Sequence, residues 1–208
     1  LNHVVGIDKI QAKLDVLNKH EVPFFEPGLK EKLLKNATKG RLTFSSDISA
    51  GIKDAAVIFS AVGTPPKPDG DADLTYVFAV IDEIISCYKT LNCTDKKVII
   101  NKSTVPVGTG RKIMAKIKEA GLSSDQLSVV SNPEFLREGS AVNDFFHPDR
   151  IVIGSDDDES KEIVGQLYDP LYRRETPIVH TQLETAELSK YASNCFLATF
   201  TSLLWLCP

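Results

Sequence analysis

Apolar residues along this chain follow two patterns that alternate. Short apolar-rich runs, Val4 to Ile7, Arg41 to Phe44, Ala55 to Val62, Val98 to Ile100, Leu127 to Val130 and Ile151 to Ile153, read as strands. Between them, Lys9 to Lys19, Gly28 to Lys39, Leu74 to Lys89, Thr109 to Ala120 and Glu159 to Tyr172 carry apolar positions at helical spacing, as Ile10, Leu14 and Leu17 do. Strand and helix in alternation predict an α/β fold on a parallel sheet. Ala55 to Val62 is apolar at nearly every position, which predicts a strand covered on both faces. Pro23 and Pro27 break the chain before the second helix, and Gly63 to Asp73 is a loop rich in Pro, Gly and Asp. Gln182 to about Leu204 reads as one long helix, and Thr176 to Thr181 as a boundary that divides residues 1–180 from 181–208.

The bulk numbers narrow the class. A chain of 208 residues holds one large domain, or one domain and the start of another. Hydrophobic residues at 42% and charged residues at 25% are ordinary for a globular protein, and a net charge of -4 gives no general attraction to nucleic acid or anionic membrane. No apolar run is long enough to span a bilayer. The first residues lack the basic and apolar regions of a signal peptide, so a cytoplasmic protein is expected. They also lack an initiator Met, and the true start is expected upstream. Cys87, Cys93, Cys195 and Cys207 form no Cys-x-x-Cys pair and are expected to be buried or half-buried free thiols. His3, His20, His147 and His180 are scattered, and no metal role is assigned to them.

Candidate chemistry lies where predicted strands end. Asp8 closes Val4-Val5-Gly6-Ile7-Asp8; a carboxylate there can hold the adenosine ribose hydroxyls of a dinucleotide, or can cap the next helix. Three loops follow later strands: Val62-Gly63-Thr64-Pro65-Pro66, Lys102 to Thr109, and Ser131 to Gly139. Ligands of open α/β sheets bind at the carboxyl ends of strands, so all three loops are expected to face one crevice. They bring small hydroxyls, exposed backbone, Glu134 and Glu138 to it. The plainer reading is that Pro and Gly only shape turns and that the two carboxylates are solvated helix-start residues. Within the long helix, Lys190 and Asn194 are four apart and share a face, where they can fix a water or an alkoxide. The plainer reading there is an exposed lysine on an amphipathic helix.

The segments VVGID, VPFFEPGL, VGTPPKPDGDADLTYV, KSTVPVGT, SNPEFLREGSAVNDFFHPDRIVIG and ELSKYASNCFLAT run in order from Val4 to about Thr199. Together they resemble the UDP-glucose/GDP-mannose dehydrogenase family, and FFHPDRIVIG resembles its UDP-glucose branch more than the GDP-mannose or N-acetylmannosamine branches. The resemblance implies a Rossmann-type doubly wound parallel sheet that binds NAD over residues 1–180, and the start of a central helical domain over 181–208. It implies oxidation of the C6 alcohol of UDP-glucose to UDP-glucuronate in two NAD-dependent steps, normally through a cysteine thioester. By the same resemblance Asp8 and Lys13 contact the adenosine ribose. Val62, Thr64 and Pro65 line the adenine and ribose path, with Ser103, Thr104 and Glu138 also at the cofactor. Thr104 sits near the nicotinamide and a catalytic water. Glu134 acts as acid or base through water, Phe135, Leu136, Arg137 and Glu138 hold the sugar, and Lys190 and Asn194 stabilise the developing oxyanion. Family members are homodimers or higher homo-oligomers, which pair through the helix beginning near Leu183.

The sequence departs from the family in two places. No Gly-x-Gly-x-x-Gly strand is present, and no Gly-x-Cys-Phe-Pro-Lys-Asp motif. Cys195 follows Asn194 in the helix and is not expected to replace the missing nucleophile. After Thr199 the family pattern stops, and the chain ends Leu203-Leu204-Trp205-Leu206-Cys207-Pro208. These features predict a piece truncated at both ends, a poor catalyst as it stands, and a tendency to aggregate through unpaired strand edges. Two alternatives stay open: another nucleotide-sugar dehydrogenase, for GDP-mannose or UDP-N-acetylmannosamine, or a non-catalytic nucleotide-binding remnant.

Overall fold

The computed structural model describes residues 2–172 and 176–206. Along the chain run β1 (Val4–Ile7), α1 (Gln11–Asn18), α2 (Leu29–Ala37), β2 (Leu42–Ser45), α3 (Ile48–Lys53), β3 (Val57–Ser60), α4 (Thr75–Thr90), β4 (Lys97–Asn101), α5 (Thr109–Glu119), β5 (Leu127–Ser131), α6 (Ala141–Phe146), β6 (Ile151–Gly154), α7 (Asp158–Leu167), α8 (Asp169–Tyr172), β7 (Ile178–Thr181) and α9 (Leu183–Leu206). They fall into two compact units. One comprises Leu1–Ala55, Ser86–Cys93 and Leu136–Pro148; the other comprises Ala56–Ile85, Thr94–Phe135 and Asp149–Pro208.

In the first unit β1 and β2 pair in parallel, Val4 opposite Leu42 and Ile7 opposite Ser45. Leu14 of α1, Leu33 of α2, Ile52 of α3 and Tyr88 of α4 are buried in it. Of the stripe expected on the first helix only Leu14 is buried; Ile10 is the exposed N-cap residue and Leu17 is half-buried. The elements α3 and α6 have no counterpart in the sequence pattern, because six residues each are too few to show a period. The start of α3 is signalled by Asp47, whose carboxylate accepts from the amides of Ser49 and Ala50.

The second unit is a five-stranded sheet in the order β3-β4-β5-β6-β7. Parallel β3, β4 and β5, joined through α4 and α5, form the parallel α/β half that the alternation predicts, of the Rossmann type that the resemblance implies. The sheet is parallel as expected except at β6. That strand meets β5 in a single antiparallel pair, Ser131 with Gly154, and β7 then pairs parallel to β6. The stretch expected to be a boundary, Thr176 to Thr181, contains β7, which is too polar to read as a buried strand. Phe59 is 48% exposed because β3 is an edge strand, paired among the described residues to β4 alone, and not covered on both faces as its composition predicts. One helix was expected from Glu159 to Tyr172, but it divides into α7 and α8. Pro170 has no N–H for the carbonyl of Gln166.

The core of this unit lies around β4 and β5, whose residues are buried throughout. Ile99, Ile100, Val130 and Ile153 of the sheet, Val77, Ile81 and Ile84 of α4, Ile113 of α5, Val164 of α7 and Leu183 and Ala186 of α9 are all fully buried. Burying such a side chain contributes about 1.5 to 3 kcal/mol. Gly154 lets α9 approach the sheet: a Cβ there would lie 2.5 Å from Ala186 Cβ and 2.6 Å from the Gln182 carbonyl oxygen. The second half of α9 is different, with Phe196, Phe200, Leu204 and Trp205 exposed. Cys87 and Cys93 are half-buried free thiols, whereas Cys195, expected to be covered, is exposed on that half of α9; Cys207 lies outside the described residues. Among the described residues no helix is long and apolar enough to cross a membrane.

Candidate active site

In the second unit the parallel strands end level with one another, Ser60 opposite Asn101 and Asn101 opposite Ser131. The ladder runs on past them, Lys102 N–H donating to the Ser60 carbonyl at 2.8 Å and Asn132 N–H to the Asn101 carbonyl at 3.0 Å. The three expected loops therefore leave the sheet side by side. Side chains then lace them together. Ser103 Oγ donates to the Val62 carbonyl at 2.6 Å, and Thr64 Oγ1 to the Thr104 carbonyl at 2.8 Å. Pro65 is held by Asp73 N–H, which donates to its carbonyl at 2.8 Å. The structure thus brings Val62, Thr64, Pro65, Ser103 and Thr104 together through two neighbouring loops.

The third loop adds charge. Glu134 is half-buried, and its Oε2 is buried with no hydrogen-bond partner among the described residues. A solvated helix-start carboxylate would not be so placed, and no helix begins there. An unpartnered buried acceptor is costly, about 1 to 3 kcal/mol, and such atoms cluster where a ligand or water supplies the missing donor. Phe135 has two cations over its ring, the Arg150 guanidinium 4.7 Å from its centroid and Lys190 Nζ 5.4 Å away.

Lys190 is only 9% exposed, so the exposed-lysine reading fails. It sits on the face of α9 that Leu183, Ala186 and Glu187 bury, one turn beyond Glu187. Asn194, one turn further on, is exposed. Glu187 was not singled out in the sequence, yet its carboxylate accepts from Gly108 N–H and Gly110 N–H, each at 2.7 Å, at the start of α5. A Cβ on Gly110 would lie 3.2 Å from Glu187 Oε1, so the small residue makes room for this contact. Burial raises the Glu187 carboxyl above its ordinary value, against the pull of the two amides. The contact fastens the helix carrying Lys190 to the loop carrying Thr104.

Lys102 opens the second loop, and nothing in the sequence assigns it a role. Its Nζ donates to the Asn132 carbonyl at 3.1 Å and to Asn132 Oδ1 at 3.2 Å, and burial lowers it to about 8. Asn101 and Ser60 were also missed: the amide nitrogen and oxygen of Asn101 and the hydroxyl of Ser60 are buried without partners among the described residues. Polar residues closing apolar strands are the one sequence signal that could have found them.

In the first unit Asp8 follows β1. Its Oδ1 accepts from Ile10 N–H at 2.9 Å and its Oδ2 from Lys13 Nζ at 3.2 Å. The Ile10 amide, with Lys13 assisting, holds its carboxyl below the ordinary value. Asp8 is not a helix cap, since the N-cap of α1 is Ile10. Leu136, Arg137 and Glu138 belong to this unit and are exposed. Arg137 is engaged locally, its guanidinium gripping Asp144 at 2.7 and 3.0 Å and holding that carboxyl far below the usual range. Glu26, in the VPFFEPGL segment, was given no role; it is buried and accepts from Gly139 N–H at 2.9 Å.

Residues 1–172 match the UDP-glucose/GDP-mannose dehydrogenase family, NAD binding domain. The chain is 46% identical over 198 residues to UDP-glucose 6-dehydrogenase of Rhizobium meliloti, covering 94% of this chain and 44% of that protein. It is 43% identical over 206 residues to UDP-glucose 6-dehydrogenase TuaD of Bacillus subtilis, covering 98% of this chain and 42% of the relative. Among solved structures it resembles the ternary complex of GDP-mannose dehydrogenase from Pseudomonas aeruginosa, with a TM-score of 0.89 at 32% identity over 97% of this chain and 46% of the other. It also resembles a UDP-glucose dehydrogenase from Pyrobaculum islandicum, with a TM-score of 0.85 at 39% identity over 94% and 44%. The chain spans less than half the length of each of these relatives.

Proposed function

Since the chain belongs to the UDP-glucose/GDP-mannose dehydrogenase family and carries its NAD-binding domain, we propose that the protein containing it oxidises the C6 alcohol of UDP-glucose to the carboxylate of UDP-glucuronate. The observation that carries this reading is Glu134 Oε2, buried and unpartnered at the carboxyl ends of parallel strands, with the charges of Lys102 and Lys190 acting on the same cluster. The residues fit the cofactor. Asp8 is kept ionised by Ile10 and Lys13, which suits a diol and repels a phosphate on the ribose. When bound, NAD accepts the hydride that leaves C6, once in each of two steps.

The chain's residues manage what that transfer requires. The hydroxyl proton must leave with the hydride, and Glu134 takes it through an ordered water held with Thr104. Negative charge develops on the sugar oxygen, and the ammonium of Lys190, held out of bulk water, is preorganised to stabilise it with Asn194. Val62, Thr64, Pro65, Ser103 and Glu138 border the cofactor, and Phe135, Leu136 and Arg137 hold the sugar. The same reading makes 1–180 the cofactor domain and 181–208 the start of a helical domain through which a homodimer forms. It puts the enzyme in the cytoplasm, with its cysteine nucleophile beyond these residues. High identity to two UDP-glucose 6-dehydrogenases favours UDP-glucose, while the structural likeness to GDP-mannose dehydrogenase makes GDP-mannose the second candidate.

The test is NADH formation by the product of the complete gene, offered UDP-glucose, GDP-mannose and UDP-N-acetylmannosamine in turn. UDP-glucose is expected to give the highest kcat/KM. Lys190→Met should lower kcat about 100-fold or more, as loss of one oxyanion donor does. A protein that binds NAD yet oxidises none of the three would leave only the nucleotide-binding remnant.

A further inference from the structure

Lys102 leaves the end of β4, but its side chain turns away from the loop it opens. Its Nζ lies 3.1 Å from the Asn132 carbonyl, 3.2 Å from Asn132 Oδ1 and 3.4 Å from the Tyr168 hydroxyl. The Tyr168 hydroxyl itself donates to Asn132 Oδ1, and Asn132 Nδ2 donates to the Val152 carbonyl at 2.8 Å. Both Asn132 and Tyr168 are buried. One ammonium thus ties the end of β4, the residue after β5, β6 and the residue after α7 into one polar network. Glu134 stands two residues beyond Asn132, and its carboxylate is the favourable charge acting on Lys102, while Lys190 opposes it.

A neutral side chain of similar length could fill this place without the cost of desolvating a cation, which in real proteins is several kcal/mol per ion. The charge therefore has a use, and none of the roles assigned to the loop of 102–109 accounts for it. We propose that Lys102 is a positioning residue for Glu134. Its ammonium, clamped by Asn132 and Tyr168, sets where the segment of 132–135 leaves the sheet and presents a positive charge to the Glu134 carboxylate. The inference rests on the proposed function for the meaning of Glu134, but the clamp stands on its own geometry.

The charged and titratable groups facing Lys102 are Glu134 from the loop after β5, Lys190 from α9 and Tyr168 after α7. Burial pushes Tyr168 up to about 12, so it stays neutral while Lys102, lowered to about 8, loses its proton. The clamp is therefore charged at neutral pH and slackens in mildly alkaline solution.

Two measurements on the complete gene product test this. The first is independent of activity: the side-chain nitrogen resonance of Lys102 is titrated by NMR, assigned by its loss in Lys102→Arg. It should titrate near 8 and fall by about one unit in Glu134→Gln, where the opposite charge is gone. An ordinary lysine value, unmoved by Glu134→Gln, would sink the proposal. The second is the pH profile of kcat with UDP-glucose. Lys102→Met should lower kcat about 10- to 100-fold while KM stays within about threefold, the pattern of a misplaced catalytic group. Lys102→Arg should recover at least about tenfold of that loss and move the alkaline limb upward by more than about one unit, because a guanidinium keeps its proton. An alkaline limb unmoved in Lys102→Arg would assign it to another group and overturn the role. If the resonance responds to Glu134→Gln but no nucleotide sugar is oxidised, the proposed function fails and the clamp remains.

Discussion

Single residues here are decided by how charge is buried. Asp8, Lys102, Glu134, Glu187 and Lys190 were all visible as letters, but only two kinds of signal in the sequence gave them meaning: a place at a strand end, or a place in a family segment. Glu134 and Lys190 were legible that way. Lys102 and Glu187 stand in family segments too, yet their roles were not legible there, because their partners, Asn132 and the Gly108 and Gly110 amides, lie 30 and 77 to 79 residues away in the chain. Lys102 also gives a stability prediction with a definite sign. It is lowered to about 8 in the fold against an ordinary 10.5, so between those values the unfolded chain holds more protons. Stability must then rise with pH across that window, by at most about 1.4 kcal/mol per unit from this group. Urea unfolding at several pH values from 8 upward should show this slope in the native protein and lose it in Lys102→Met. Equal slopes in the two would mean the lysine is not buried as a cation.

At the scale of elements, the strands were read well and the short helices poorly. β1 lies where apolarity put it, and β4 was missed by one residue at each end because Lys97 and Asn101 are polar yet buried. Lys97 starts the strand from full burial because its Nζ reaches Asp95 at 2.9 Å. α3 and α6 escaped because each is shorter than the window in which a helical period can be recognised, and β7 because His180 and Thr181 cut short its apolar run. The contact that seats α9 is equally invisible in sequence, since it depends on the absence of an atom at Gly154. Gly154→Ala would put a Cβ 2.5 Å from Ala186 Cβ of α9 and 2.6 Å from the Gln182 carbonyl oxygen just before it, and drive helix and strand apart. It should cost about 1 to 3 kcal/mol in denaturant unfolding, and more than a Gly→Ala change at Gly63, where a Cβ would meet open space. A neutral result would show that α9 does not pack as closely as described.

For the whole molecule the strand edges and the end of α9 matter most. Among the described residues β1 and β3 each pair on one side only, and parallel strands are ordinarily covered. Phe200 and Leu204 lie exposed on α9, with Trp205 beside them at 86%. Such a surface invites association. The chain as given should self-associate at micromolar concentration, and Phe200→Glu with Leu204→Glu should reduce this measurably in analytical ultracentrifugation. An unchanged distribution would shift attention to the edges of β1 and β3.

Local order determined much of this protein from sequence alone. Alternating runs specify strand and helix because side-chain period is a property of the backbone, and contiguous segments specify the family because they carry their chemistry in neighbouring letters. Tertiary structure alone decided the reversal of β6, the division of the strands between two sheets, the loss of cover on Phe59 and the clamp on Lys102. Each of these depends on which distant groups meet and on how much water is left between them. Burial and pairing of that kind are set by packing across the chain, and no local pattern records them.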